Sequence, residues 1–124
     1  EYQWQRAAQG YDDRKYPWGN KWDGKRCNNS VRPYESHYTT PVQYYEEKGD
    51  SPFGVVDMSG NVWEWCLPSR VSSHATSDEP NDNEYILCGG SWSNYYADSF
   101  TVTTHDIYDA AMRDNNIGFR IIRL

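Results

Sequence analysis

Apolar and polar residues alternate most clearly in the first nine residues and in several short segments after residue 40. Residues 1–9 contain good helix formers and are followed by Gly10, which predicts a helix that ends there. Trp4, Ala7 and Ala8 share one face of this helix, and we predict that this face is buried. The chain begins inside the helix without an N-cap residue, so we expect an N-terminal part of the domain to be missing from it.

Four short segments have the pattern of β-strands. Apolar residues recur at a period near two around Trp63 and Trp65 and again over residues 117–123. Residues 85–88 form a short apolar run that ends at two glycines, and residues 41–45 read as another short strand. We predict four strands from these patterns, with residues 117–123 central in the sheet and both tryptophans anchoring the core.

The remaining segments are rich in Asp, Asn, Ser, Gly and Pro, which favour turns over regular structure. We expect an irregular loop over residues 11–40, pinned by Trp18 and Trp22, and a surface loop over residues 68–84. One helix, several short strands and much ordered loop predict an α+β fold. The whole of residues 1–124 is expected to form a single domain.

The composition excludes several classes of protein. Aromatic residues make up 16% of the chain, whereas leucine occurs at three positions, which is unlike a helix bundle, a membrane span or a disordered segment. A net charge of −6 without a cluster of basic residues argues against nucleic-acid binding and direct membrane insertion. Cys27, Cys66 and Cys88 lack metal-ligand spacing, so we expect buried free thiols.

Residues 57–65, DMSGNVWEW, carry a motif that resembles the core of the formylglycine-generating-enzyme (sulfatase-modifying factor) family. Further segments are similar to that family in the same order along the chain: residues 1–8, 16–19, 41–42, 89–92 and 117–120. The resemblance implies a C-type-lectin-like fold of the formylglycine-generating-enzyme type. From the residues themselves, Glu64 and Arg120 are candidates for a buried ion pair that joins the two halves of the chain.

Enzymes of this family hold copper with a cysteine pair just after the Gly-Gly-Ser turn. The matching positions in this sequence are Asn94 and Ser99, neither of which supplies a thiolate. The resemblance therefore implies no copper and no catalytic residues, and we predict that the chain is not an enzyme. The alternative is an oxidase or related enzyme that acts on a peptide or thiol substrate.

Members of the family often bind calcium near this same motif. The resemblance carries the calcium ligands over to Asp57, Gly60, Val62 and Glu64, and oxygen ligands of this kind suit a hard cation. The alternative is that Asp57 caps a turn and Glu64 pairs with an arginine.

Residues 93–116 contain no Lys, Glu, Gln or Trp, which are residue types that codons ending in a pyrimidine cannot encode. With their flanking motifs, these residues resemble the variable region of diversity-generating-retroelement variable proteins. The resemblance implies a diversified, hypervariable surface for ligand binding, and its tyrosines are typical of binding loops. The candidate ligand-binding residues are Ser93, Asn94, Tyr95, Tyr96, Asp98, Ser99, Thr104, His105, Asp106, Ile107, Tyr108, Asp109, Ala110 and Asp114.

Within the same segment we expect Phe100, Val102, Ala111 and Arg113 to point inward as supports. The alternative is a polar loop that lacks four residue types by chance, in a purely structural module. The expected partner is a macromolecule, most simply a protein. Display on a virion or cell surface through the missing part of the domain is the location that the resemblance suggests.

Overall fold

A computed structural model describes residues 1–67 and 84–123 of the chain. The predicted helix is confirmed as α1, Tyr2–Gln9, with Trp4 and Ala8 buried and Ala7 packed beside them. It ends because Gly10 adopts φ 78°, which glycine reaches without strain, and Arg6 Nη1 donates to the Gly10 carbonyl at 2.9 Å.

Four strands form one mixed sheet, in agreement with the predicted α+β class. They are β1 Trp63–Cys66, β2 Glu84–Cys88, β3 His105–Asp109 and β4 Ile117–Gly118, in the spatial order β3-β2-β1-β4. β2 is antiparallel to both β1 and β3, whereas β4 is parallel to β1. Two short 3-10 helices, Gly24–Arg26 and Ala97–Phe100, lie in the connecting segments.

The core consists of two clusters that contain little leucine. The first lies between the helix and one face of the sheet, and comprises Trp4, Ala8, Met58, Cys66, Ile86, Cys88 and Val102. The second is aromatic and gathers around Phe100, with Tyr16 and Cys27 buried and Trp18 and Trp22 packed against them. The Tyr16 and Trp18 rings stack at 5.4 Å between centroids, so the loop over residues 11–40 is pinned as predicted.

The strand β1 was predicted correctly, but the face assigned to its tryptophans is wrong. Glu64 and Cys66 are buried, whereas Trp63 and Trp65 are half-buried on the opposite face. The sequence pattern is misleading here because a buried carboxylate is stable when it is paired, and Glu64 is paired with Arg120. The ion pair that we predicted between these two residues is therefore confirmed.

Two other strand predictions differ from the structure. Residues 41–45 form turns with Gln43 at φ 74°, and the amide of Tyr44 donates to the Pro41 carbonyl. The C-terminal strand covers Ile117–Gly118 alone and lies at an edge of the sheet. It stops early because Arg120 leaves the strand to reach Glu64.

The supporting positions expected between residues 93 and 116 are confirmed in part. Phe100 and Val102 are buried, whereas Ala111 and Arg113 are exposed, so the inward orientation predicted for those two is wrong. Ala111 lies within, and Arg113 directly after, a tight turn in which the Met112 amide donates to the Asp109 carbonyl, and this turn carries both residues outward. All three cysteines are buried and free, as expected. Most of the surface loop predicted over residues 68–84 lies outside the described residues.

Candidate functional site

The candidate ligand-binding segment begins at a turn that its own side chains close. Gly89 and Gly90 have positive φ values of 99° and 71°, and Ser91 follows them fully buried. Asn94 Oδ1 accepts hydrogen bonds from the Ser91 amide and from Ser91 Oγ, both at 2.8 Å. The Asn94 carbonyl accepts from the amide of Ser30 at 2.9 Å, which fixes the turn to the preceding loop.

Two neighbouring tyrosines stand exposed immediately after this turn. Tyr95 and Tyr96 are 64% and 67% exposed, and their ring centroids lie 4.5 Å apart. Tyr96 precedes the 3-10 helix Ala97–Phe100, whose last residue is buried in the aromatic cluster. The tyrosines therefore project from a backbone that is anchored by Phe100, which limits the conformational entropy that any contact made by them would cost.

The second part of the segment is strand β3, at the other edge of the sheet. All five of its residues pair in register with β2, from Glu84 opposite Asp109 to Cys88 opposite His105. Side chains alternate in direction along a strand, so Asp106 and Tyr108 lie on the face opposite the helix. His105 faces the helix instead, with its Nδ1 atom 3.5 Å from the Glu1 carboxylate.

The fourteen predicted ligand-binding residues divide by exposure. The exposed ones are Tyr95, Tyr96, Asp98, Asp106, Ile107, Asp109, Ala110 and Asp114. The half-buried ones are Ser93, Asn94, Ser99, Thr104, His105 and Tyr108. Several of the half-buried group hold the segment together: Thr104 Oγ1 donates to the Asp98 carbonyl at 2.7 Å, and Ser93 Oγ accepts from Asn116 Nδ2 at 3.0 Å.

A cavity lined by residues of β1, β2 and β4 and by residues that follow β3 was missed by the sequence prediction. It has a volume of about 590 Å³ and is lined by Trp65, Cys66, Leu67, Tyr85, Ala110, Arg113, Ile117, Gly118 and Phe119. The predicted core position of Trp65 is wrong, because its side chain lines this cavity and belongs to neither core cluster. The signal that could have located the cavity is the Glu64–Arg120 pair itself, because burying Glu64 turns Trp65 to the other face.

The residues predicted to bind calcium meet at a second cavity of about 290 Å³, which Arg120 also lines. Glu64 does not fit as a ligand there, because its carboxylate accepts from Arg120 Nε at 2.7 Å, Arg120 Nη2 at 2.6 Å and Trp4 Nε1 at 2.9 Å. Asp57 fits better, since its Oδ2 atom is buried and has no hydrogen-bond partner among the described residues. Burial raises the pKa of Asp57, although the nearby charge of Arg120 opposes that shift.

The cysteines of this chain do not lie at the two positions that match the copper-binding cysteine pair of the family's enzymes. Asn94 and Ser99 occupy the turn and the 3-10 helix, where Asn94 is committed to Ser91. Cys88 lies on the core face beside Cys66 of the adjacent strand. A hydrogen bond with Cys66, followed by burial, raises the pKa of the Cys88 thiol, so Cys88 is protonated at neutral pH.

The described residues contain neither a cluster of metal-binding side chains nor a helix that could span a membrane. Across residues 1–67 and 84–123, no three His, Cys, Asp or Glu side chains converge in a way that could hold a metal ion. In the same part of the chain, no helix has both the length and the apolar character needed to cross a membrane.

Comparison with known proteins agrees with this fold. Residues 1–124 match the family model of the sulfatase-modifying factor enzyme 1-like domain. The chain is 30% identical over 133 residues to the inactive C-alpha-formylglycine-generating enzyme 2 of Bos taurus, covering 97% of the chain and 41% of that protein. It is 35% identical over 124 residues to the formylglycine-generating enzyme of Thermomonospora curvata, covering 77% of the chain and 40% of that enzyme.

Among solved structures, Treponema denticola variable protein 1 superposes with a TM-score of 0.71 at 27% identity, over 94% of this chain and 43% of that one. The chain thus spans less than half the length of each of these three proteins. The family contains proteins named as enzymes and proteins named as inactive, so membership by itself does not assign catalysis. The fold, the motif around Trp63 and the match over all 124 residues together confirm the predicted resemblance, and the chain belongs to the family of the sulfatase-modifying factor enzyme 1-like domain.

Proposed function

We propose that this chain is a non-enzymatic binding protein that presents residues 93–116 as a diversified surface to a macromolecular ligand, in the manner of a retroelement variable protein. The observation that carries the proposal is the exposed pair Tyr95 and Tyr96 on a segment anchored by buried Phe100. Tyrosine offers a large contact area with few rotatable bonds, which is why binding loops favour it. The structural likeness to Treponema denticola variable protein 1 supports the same reading.

The backbone contacts of the segment also support this function. Its first turn is closed by Asn94 and Ser91, and its last strand is paired along its whole length with β2. A surface that must tolerate many side-chain combinations needs a backbone that is held by main-chain and buried contacts. The exposed residues Asp106, Ile107 and Asp109 can then change without loss of the fold.

The proposal is tested first at the level of the gene. In sequences of this locus from related isolates, we expect differences to concentrate at adenines in the codons for residues 93–116. We also expect a nearby reverse transcriptase gene and an imperfect repeat of that coding segment. Differences spread evenly over the gene, with no such repeat, would contradict a diversified surface.

The second test uses substitutions at the tyrosines. The triple variant Tyr95→Ser, Tyr96→Ser, Tyr108→Ser should lose binding to any protein that the unchanged chain captures and that surface plasmon resonance confirms. Interface tyrosines of this kind contribute about 2 kcal/mol or more each, so the loss should exceed about a hundredfold. The matched control replaces Tyr2, Tyr38 and Tyr44, which are about as exposed as Tyr95 and Tyr96 but lie outside the segment. Equal binding by both triple variants would show that Tyr95, Tyr96 and Tyr108 do not contribute to the interface.

An oxidase that acts on a peptide or thiol is the second candidate function, and it is favoured by the 35% identity to the Thermomonospora curvata enzyme. Asn94 and Ser99 weigh against it, because neither offers the soft sulfur ligand that Cu(I) prefers. Oxygen uptake in the presence of copper and a cysteine-containing peptide distinguishes the two functions. We expect no uptake above the rate without protein.

We also propose that calcium binds at the second cavity through Asp57, together with the carbonyls of Gly60 and Val62. The proposal is supported by the buried, unpartnered Oδ2 atom of Asp57 at a cavity that these residues line. One carboxylate with carbonyl ligands is a weak site, so an affinity in the millimolar range is expected.

A further inference from the structure

The cavity of about 590 Å³ lies on the face of the sheet that is turned away from the helix. Cys66 and Ile86 point into the core from β1 and β2, so their neighbours Trp65 and Tyr85 point to the opposite face. The rings of Trp65 and Tyr85 meet edge to face at 6.2 Å between centroids. The volume falls within the range of about 300–1,000 Å³ that is usual for ligand-binding pockets.

The rim of this cavity exposes apolar side chains to water. Leu67 is 75% exposed and Phe119 is 72% exposed, although both lie beside the half-buried rings of Trp65 and Tyr85. Contiguous apolar surface of this kind is unfavourable in water and marks places where another molecule binds. Edge-to-face geometry between the two rings leaves an aromatic guest further ring edges and faces to contact.

Arg113 is the charged residue among those that line the cavity. Its Nη1 atom donates to the carbonyls of Ala110 at 3.0 Å and Met112 at 2.9 Å, which holds the guanidinium at the rim. The Nε and Nη2 groups have no hydrogen-bond partner among the described residues. A guanidinium held in this way presents two parallel donors, and a carboxylate is the group that matches them.

We propose that this cavity, which we call the aromatic pocket, receives an aromatic side chain of a protein ligand whose neighbouring carboxylate pairs with Arg113. The floor comes from Trp65 and Tyr85 and part of the rim from Phe119, all outside the diversified segment, whereas Ala110 and Arg113 form a wall inside it. Changes at these two wall positions therefore alter which side chain fits while the floor stays constant. The inference rests on the proposed function in one respect, namely that the occupant belongs to a protein.

Small probes test the pocket without any knowledge of the ligand. Indole-3-acetate carries an aromatic ring and a carboxylate, and tryptamine carries the same ring with an ammonium group. In ¹⁵N-resolved NMR titrations of the whole chain, indole-3-acetate should shift the amide signals of residues around Trp65, Tyr85 and Phe119. For a ligand of this size we expect a dissociation constant on the order of 1 mM.

Tryptamine should bind at least about tenfold more weakly, because its charge meets Arg113 unfavourably. Arg113→Gln should abolish this preference, whereas the control Arg32→Gln, at an exposed arginine outside the pocket, should retain it. Ala110→Trp should fill the pocket from the wall and remove binding of both probes. Because Ala110 and Arg113 are exposed, neither change disturbs the core.

The pocket would be overturned by an absence of shifts near Trp65 at about 10 mM probe, a concentration well above the expected dissociation constant. Equal binding of the two probes, or a preference that survives Arg113→Gln, would overturn the pairing with a carboxylate. If the probes bind as expected but the gene shows no diversification, the pocket stands and the proposed function fails. If the gene is diversified but neither probe binds, the proposed function stands and the pocket fails.

Discussion

The Glu64 carboxylate joins three distant parts of the chain. It accepts from Trp4 on the helix at 2.9 Å and from Arg120 near the C-terminus at 2.6 and 2.7 Å, while itself lying on β1. Arg120 Nη2 also donates to the carbonyls of Val56 and Asp57, at 3.1 and 3.2 Å. The Glu64 side chain is 7% exposed, so its charge is stable there because of these partners.

We predict that Glu64→Gln lowers the free energy of unfolding by about 2–4 kcal/mol, because it leaves Arg120 without its countercharge. Urea unfolding followed by tryptophan fluorescence measures the change. The control Asp12→Asn breaks a shorter-range pair with Arg14 in which the Asp12 side chain is 58% exposed, and it should leave the midpoint unchanged. Equal effects of the two substitutions would mean that the buried pair contributes no more than a surface pair.

Asp57 makes the stability of the chain depend on pH. Burial raises the pKa of its carboxyl above the ordinary value of 3.8, so the folded chain binds this proton more tightly than the unfolded chain does. By linkage, the contribution of Asp57 to stability falls as the pH rises from 3.8 through the raised pKa, and the charged form destabilises the fold above it. Asn tolerates the positive φ of 56° at this position.

We therefore predict that Asp57→Asn stabilises the chain at pH 7 in buffer containing a chelator, and that the gain disappears as the pH falls below about 4. Thermal melts over this pH range measure the effect, with the exposed Asp13→Asn as the control. A stabilisation that is equally large at low pH would contradict a role for the carboxylate charge.

We predict that calcium stabilises the fold by binding the Asp57 carboxylate. If the site binds a cation, millimolar calcium raises the melting temperature of the unchanged chain, and Asp57→Asn removes this response because the carboxylate ligand is lost. Magnesium is the matched control, since its strict octahedral geometry suits a carbonyl-rich site poorly. A melting curve that calcium leaves unchanged would exclude the proposed site.

At the scale of elements, the turn before β1 depends on one close approach of the backbone. Gly60 has φ 79°, and its amide donates to the Gly89 carbonyl at 2.8 Å. A Cβ atom at this position would lie 2.4 Å from the carbonyl oxygen of Asn28. At Gly54, where φ is 70°, a Cβ atom would have nothing within 4 Å.

Substitutions at these two glycines separate two contributions to the loss of stability. At Gly54 only the positive φ is unfavourable, whereas at Gly60 the added Cβ atom also collides with the Asn28 backbone. Gly54→Ala should cost about 1 kcal/mol, the usual penalty for a side chain at positive φ, whereas Gly60→Ala should cost at least about 3 kcal/mol. Chemical denaturation of both variants provides the comparison. A similar loss of stability in the two variants would show that the backbone of Asn28 moves aside at little cost in free energy.

The elements that sequence predicted well are those with a local signal. The helix has a buried stripe and a glycine stop, and β2 is an apolar run before two glycines. Residues 117–123 alternate in the same way as a strand, but the direction of Arg120 is decided by Glu64, 56 positions away. The same long-range pair reverses the faces of β1, and this is why the aromatic pocket could not be predicted although the exposed tyrosines could.

At the scale of the molecule, aromatic side chains serve two purposes. The cluster around Phe100 replaces an aliphatic core for the loop over residues 11–40, and it fixes residues 93–116 to that loop. Trp65, Tyr85 and the tyrosines after residue 94 lie outside the two core clusters, on the surface of the sheet and the segment. A leucine-poor composition is therefore compatible with both a stable interior and an outward contact surface.

Strand β3 is held to β2 by main-chain pairing over five successive positions, from His105 to Asp109. Such pairing uses backbone amides and carbonyls, and every residue except proline has both. The hydrogen bonds between the two strands therefore depend little on the identity of the side chains. Asp106, Ile107 and Asp109 are already exposed to solvent. The strand can accordingly serve as a scaffold for combinatorial libraries in which these three codons are randomised and the rest of the fold is kept.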